Sequence, residues 1–129
     1  MSKNICAMLY LVLLPLCTAA QEAANFNGSW TASYHTVDSG ERVADVIIAD
    51  SGGSWRDLRN GSQGKKNGCL EKVFPLIVAG RHTAKIKISV NSSGVMPSCV
   101  DRHVTLKAID KNTLEGTFAD GRAIKLVRQ

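Results

Sequence analysis

The triplet Asp101-Arg102-His103 sets a carboxylate and an imidazole two residues apart, which on an extended strand is one face. A histidine steadied by a carboxylate is half of the acid–base pair that hydrolases use. The other half is not announced. The chain has no G-x-S-x-G elbow to strain a serine into the open, and Ser98 beside Cys99 reads as a loop residue. His35 is followed by Asp38 across a turn, but His35 and His103 both fall on the outward phase of their segments, where a solvated imidazole is the ordinary outcome. His35, His82 and His103 lack the ligand spacing of a metal centre. The expectation is a non-enzymatic protein with no metal or cofactor. A hydrolase built on His103 and Asp101 is the alternative.

The cations say more. Lys85, Lys87 and Lys107 share the outward phase of two segments expected to be neighbours, and Arg56, Arg59, Lys65 and Lys66 cluster around residues 60–69. Such a face suits an anionic envelope surface or an acidic protein partner. Outward lysines also discourage edge pairing and aggregation, which is the plainer reading. Nucleic acid is excluded as a partner: Trp55 apart, aromatics are too few and too inward to interleave with the charge. Trp55, just after Ser51-Gly-Gly-Ser54, is expected either in the core or at a pocket mouth or partner surface.

The compartment is written at the N-terminus. Lys3 precedes an apolar run from Ile5 to Leu16, and small residues Thr18, Ala19 and Ala20 follow, which is the order of a secretory signal over residues 1–20. A lipoprotein anchored at Cys17 is the weaker alternative, because Leu16 stands where a small residue is wanted. The run is too short to cross a bilayer, so no transmembrane segment is expected. With the signal go Cys6 and Cys17, leaving Cys69 and Cys99, whose even count in an exported chain predicts one disulfide. The full chain carries sixteen Lys and Arg against eleven Asp and Glu. Asn27-Gly-Ser29, Asn60-Gly-Ser62 and Asn91-Ser-Ser93 match a glycosylation sequon, but in a periplasmic or secreted bacterial protein they are turn chemistry.

After a tail of residues 21–25, the dominant period is two. Phe26, Gly28, Trp30, Ala32 and Tyr34 alternate with polar residues, as do Ala84, Ile86, Ile88 and Val90, and again Val104, Leu106 and Ala108. Turn signals such as Ser51-Gly52-Gly53, Lys111-Asn112 and Asp120-Gly121 separate the runs. Eight strands are expected, at 26–36, 42–49, 54–59, 70–79, 83–90, 100–109, 113–119 and 122–128, and no helix. Short strands and tight turns predict an eight-stranded antiparallel up-and-down barrel over residues 26–129, since closure removes the edges of a flat sheet. A two-sheet sandwich is the alternative. In a meander the connections after strands three and five lie at one end, so Cys69 and Cys99 can meet.

Two resemblances add to this. Gly28-Ser29-Trp30 resembles the Gly-x-Trp signature of calycins (lipocalins, avidins and fatty-acid-binding proteins). It implies a tryptophan at the closed end of the barrel beneath a basic residue of the last strand, a part that falls to Arg128, in phase with Ile124 and Leu126. The domain is shorter than a lipocalin and its strands are too short to surround a large cavity. The whole mature chain, with NGCLEKVFPLIV, MPSCVDRHVTLKAID and NTLEGTFADGRAIKLVRQ, is similar to small exported proteins of Burkholderia-type proteobacteria. That implies an exported, disulfide-bonded, all-β protein and carries no activity with it.

The functional expectation is a monomeric binding protein of the bacterial envelope, recognising a protein or surface through loops 60–69 and 91–99, as an inhibitor or host-facing antigen would. A small apolar ligand in the barrel mouth, lined by Trp55, Phe74 and Tyr34, is the alternative, and it requires an open interior.

Overall fold

The computed structural model describes residues 24–37, 40–59 and 68–129, so the signal segment, Cys17, Asp38, Lys65 and Lys66 lie outside the described residues. Eight antiparallel strands follow in order: β1 (Gly28–His35), β2 (Glu41–Ala49), β3 (Gly52–Asp57), β4 (Phe74–Arg81), β5 (Lys85–Val90), β6 (Arg102–Asp110), β7 (Thr113–Phe118) and β8 (Ala123–Arg128). Each pairs with its successor, and β8 returns to β1, closing the barrel. The up-and-down barrel is thus the observed architecture, and the sandwich is excluded. Among the described residues no helix is long and apolar enough to cross a membrane.

Inward phases make the core. Ala32, Ala44, Val46, Ile48, Leu76, Ile86, Ile88, Val104, Leu106, Leu114, Ile124 and Leu126 are buried, together with Phe26, Trp30, Trp55 and Phe74. These side chains form one packed cluster. Burying an aliphatic side chain of this size contributes about 1.5–3 kcal/mol each before the entropy cost of ordering. A barrel so filled holds its strands by packing and leaves its two ends as the places for chemistry.

Most strand ends move by one or two residues from the sequence reading, and two of the differences have a clear physical reason. Gly52-Gly53 reads as a turn, yet both belong to β3, where Gly53 pairs with Ile48 and with Leu76. A Cβ at Gly53 would sit 1.8 Å from the carbonyl oxygen of Ile47. Glycine there serves close backbone approach rather than reversal. The fourth strand starts at Phe74 instead of 70, because residues 68–71 form a turn ending at Glu71, whose φ is +63°. The Glu71 amide donates to the Asp57 carbonyl (2.7 Å) and its carboxylate accepts from the Arg59 amide (2.8 Å), which holds that backbone in place.

At one end the barrel is closed. The segment 24–27 crosses beneath it, with the Ala24 amide on the Thr83 carbonyl (2.7 Å) and the Trp30 indole N–H on the Phe26 carbonyl (2.9 Å). Arg128 lies over the Trp30 ring, its Cζ 4.1 Å from the centroid. Its guanidinium donates to the carbonyls of Asn27 (2.7 Å), Asn25 (2.8 Å) and Lys111 (3.0 Å). Gly28 has φ +134°, and a Cβ there would meet Arg128 Nη1 at 2.6 Å. Gly28→Ala is therefore expected to cost about 1–3 kcal/mol, mainly from the backbone conformation. Thermal unfolding checks this; an unchanged midpoint would remove the closure role assigned to Gly28.

Candidate functional site

The opposite end carries the described parts of four connections, β1–β2, β3–β4, β5–β6 and β7–β8; residues 60–67 of the expected 60–69 recognition loop lie outside the described residues. Cys69 and Cys99 join the second of these to the third, with a Cα–Cα distance of 5.8 Å. The disulfide expected from two remaining cysteines is formed. Asp101 fastens the β5–β6 loop further by accepting from the Ser93 amide (2.8 Å) and hydroxyl (2.9 Å). Those bonds hold the Asp101 carboxyl below the usual carboxylate range.

Beneath this rim sits a buried carboxylate. Asp57 ends β3 on the same phase as Trp55 and is 2% exposed. Its Oδ1 accepts from the Tyr34 hydroxyl and from the Trp55 indole N–H (3.0 Å). Arg102, at the start of β6, supplies the counter-charge, with Nη1 2.8 Å from Asp57 Oδ2, and also donates to the Tyr34 oxygen (2.6 Å). The same guanidinium lies 5.4 Å from the Tyr34 centroid and 5.7 Å from that of Trp55. Tyr34 stacks edge-on against Phe118 at 4.9 Å. A charge this deep is tolerated because both Asp57 oxygens face donors, Oδ1 the Tyr34 hydroxyl and Trp55 indole and Oδ2 the Arg102 guanidinium.

Burial, with the Asp57 charge behind it, drives the Tyr34 phenol well above its usual range, so it remains a proton donor in the folded protein. The unfolded chain ionises this group near pH 10. The folded form then holds more protons than the unfolded one, and stability falls as pH rises past about 10. Tyr34→Phe is expected to flatten that alkaline loss in urea unfolding at stepped pH; an identical slope in both proteins would overturn it.

Above the carboxylate opens a cleft of about 500 Å³, lined by Tyr34, Val37, Arg42, Arg102, Phe118 and Arg122, among others. Arg122 donates to Asp120 (2.7 Å) and to the His35 carbonyl (2.8 Å), and lies over the Phe118 ring at 4.6 Å. Arg42 is paired across the ladder with Tyr34. Its Nη1 is buried and has no hydrogen-bond partner among the described residues. Val37 and Val100 stand at the rim, 82% and 76% exposed.

The residues singled out from the sequence are distributed differently. Trp55 is fully buried, which removes it from any contact surface and makes it a donor to Asp57 instead. Phe74 is core as well. Arg56 is not a free cation: it pairs with Asp45 at 2.6 Å and faces Glu71 at 3.7 Å. Arg59 is exposed after β3, while Lys65 and Lys66 lie outside the described residues. Lys85 faces Lys107 directly across the β5–β6 ladder, with Lys87 opposite Thr105, so this lysine group lies on the outer wall and away from the cleft. His103 and Asp101 are exposed and both border the cleft, but His103 Nδ1 lies 3.0 Å from Ser89 Oγ while the hydrogen bonds of Asp101 go to Ser93. His35 and His82 are exposed elsewhere, and among the described residues no group of three metal-ligating side chains comes together.

The residues that do converge, Arg42, Asp57, Arg102 and Arg122, were legible in one respect. Each continues an inward phase: Arg42 with Ala44 and Val46, Asp57 with Trp55, Arg102 with Val104, and Arg122, just before β8, with Ile124. A charged residue on an apolar phase is the signal, because burial makes it expensive unless it is partnered or used.

Comparison with known proteins leaves the fold as the shared feature. No family model matches the chain, and no curated protein matches it. Among solved structures it is similar to a redesigned β-barrel, at 14% identity and a TM-score of 0.50, covering 85% of this chain and 99% of that one.

Proposed function

We propose that this chain is an exported, non-enzymatic binding protein of the bacterial envelope that recognises its partner at the disulfide-clamped mouth of the barrel. The observation that carries the reading is the contrast between a filled interior and an open cleft of about 500 Å³ rimmed by Val37 and Val100. Apolar side chains held in water at the lip of a concave, polar-floored cleft mark a contact site. A packed core speaks against a carrier that encloses its cargo. The disulfide suits an oxidising compartment such as the periplasm or the exterior. Against hydrolysis, Asp101 is spent on Ser93, and His103, at the edge of the cleft, is exposed and directed to Ser89.

Amide chemical-shift mapping of the mature protein against envelope extract fractions tests the reading. Perturbations are expected at Tyr34–Val37, Leu70, Val100–His103 and Phe118–Arg122. Shifts confined to the Lys85, Lys87 and Lys107 wall, or to the Trp30 end, would overturn it.

A further inference from the structure

The mouth has a hydrogen-bonding imbalance that names a ligand chemistry. Three arginines and three aspartates line it, yet the carboxylates are already engaged. Asp57 accepts from Tyr34, Trp55 and Arg102. Asp120 is held by Arg122, and Asp101 by Ser93. Arg42 receives none of them, and its Nη1 is shielded from water without an acceptor. The Arg42 side chain lines the cleft, and a turn of its unbonded Nη1 toward an incoming oxygen supplies the acceptor that the fold leaves out. The arginine fork suits a planar carboxylate or a phosphate, and both bind by charge-assisted hydrogen bonds. Beside it the cleft offers the Phe118 and Tyr34 rings and the apolar Leu70, Val37 and Val100. Its volume lies within the range of small-molecule sites, about 300–1,000 Å³.

We propose that the cleft binds a small organic anion, with an apolar body against Phe118, Leu70 and the rim valines and an oxyanion head on Arg42. This rests on the reading of the mouth as the recognition face and specifies its ligand class. Arg42 makes the direct contact. Tyr34, fixed by Asp57 and Arg102, is the floor on which the body sits.

A matched pair of fluorescent probes tests it. 1-Anilinonaphthalene-8-sulfonate carries the anionic head, and N-phenyl-1-naphthylamine is the same body without it. The sulfonate is expected to bind the wild-type mature protein at least tenfold more tightly, with amide shifts at Tyr34–Val37 and Phe118–Arg122. Arg42→Gln should weaken the sulfonate about tenfold or more and leave the neutral probe within twofold. Arg42→Lys should restore part of the loss. A Lys85→Gln/Lys107→Gln double variant, which removes two positive charges from the outer wall, should change neither. Thermal unfolding of each variant guards against probe binding to a loosened fold. Competition by octanoate and by octyl phosphate then separates a carboxylate head from a phosphate head. Equal affinity of the two probes at the mouth, or indifference of the sulfonate to Arg42→Gln, would overturn the anion inference and leave the mouth as a recognition face. Binding of both probes elsewhere would overturn the mouth reading itself.

Discussion

Replacing Asp57 by alanine is expected to destabilise the barrel by about 3–5 kcal/mol, the cost of removing one partner of a buried ion pair. The change strands three donors at once: the Arg102 guanidinium, the Tyr34 hydroxyl and the Trp55 indole. Arg102 would remain charged beneath a half-closed rim, and two aromatic side chains would lose the bonds that set their orientation. For a domain of this size the thermal midpoint should fall by more than roughly 12 °C. Asp57→Asn should cost less, because the amide oxygen keeps the shape and part of the accepting capacity. The double variant Asp57→Leu/Arg102→Met should recover part of the loss, since it removes both charges rather than one. Equilibrium urea unfolding reads all three. An Asp57→Ala protein within about 1 kcal/mol of wild type would show that the cluster is not a structural centre of the mouth.

Loss of the disulfide is the second large effect. The bridge closes a separation of 30 residues and ties the β3–β4 loop to the β5–β6 loop. On the chain-entropy model its removal costs about 3–4 kcal/mol. Urea unfolding of the Cys69→Ala/Cys99→Ala protein should show a lower midpoint by that amount. Hydrogen exchange should report where the damage goes: amides of 91–101 lose protection, while those of β1, β2 and β8 keep theirs. The strands lie in a closed ladder that the bridge does not complete, whereas the two loops depend on each other through it. Equal urea midpoints for the oxidised and cysteine-free proteins would contradict this. Since the same loops frame the arginine cleft, the cysteine-free protein should also bind the anionic probe more weakly than wild type.

These two predictions concern one end of the molecule, and the two ends are built by opposite means. At the closed end the charge of Arg128 is spent on three backbone carbonyls and one indole ring. Its polar atoms are satisfied within the chain. At the mouth Arg102 and Arg122 are likewise satisfied, but Arg42 is not. The asymmetry separates a structural arginine from one available to a ligand, and composition or net charge cannot express it.

Alternation carried most of the fold. Strands β1, β2 and β5 to β8 were readable within a residue or two because Trp30-Ala32-Tyr34 or Ile86-Ile88-Val90 repeat at period two and end on turn residues. The reading failed where a residue type has two physical uses. Gly52-Gly53 can reverse a chain or let two backbones approach, and only the Ile47 carbonyl beside it selects the second. Leu70 is apolar and buried, as a strand residue would be, yet it packs from a turn.

The candidate site was harder for a different reason. Attention to outward lysines picked Lys85, Lys87 and Lys107, which stand on a wall where like charges face each other across a ladder. The useful cations were those on the inward phase, and their meaning depended on partners. Tyr34 and Asp57 are 23 residues apart, and Tyr34 and Arg102 are 68 apart.

By itself the sequence determined what is local or counts residues: eight alternating segments, the turns between them, and two cysteines placed on connections that share an end. Those follow from steric preference and side-chain period, which act over a few residues. Tertiary structure decided which polar side chains meet. Closure of β8 on β1 and the register of each ladder bring Arg42, Asp57, Arg102 and Arg122 to one mouth, and they apportion three carboxylates so that one guanidinium is left over. Register is the sum of many cross-strand contacts, so no single segment encodes that surplus.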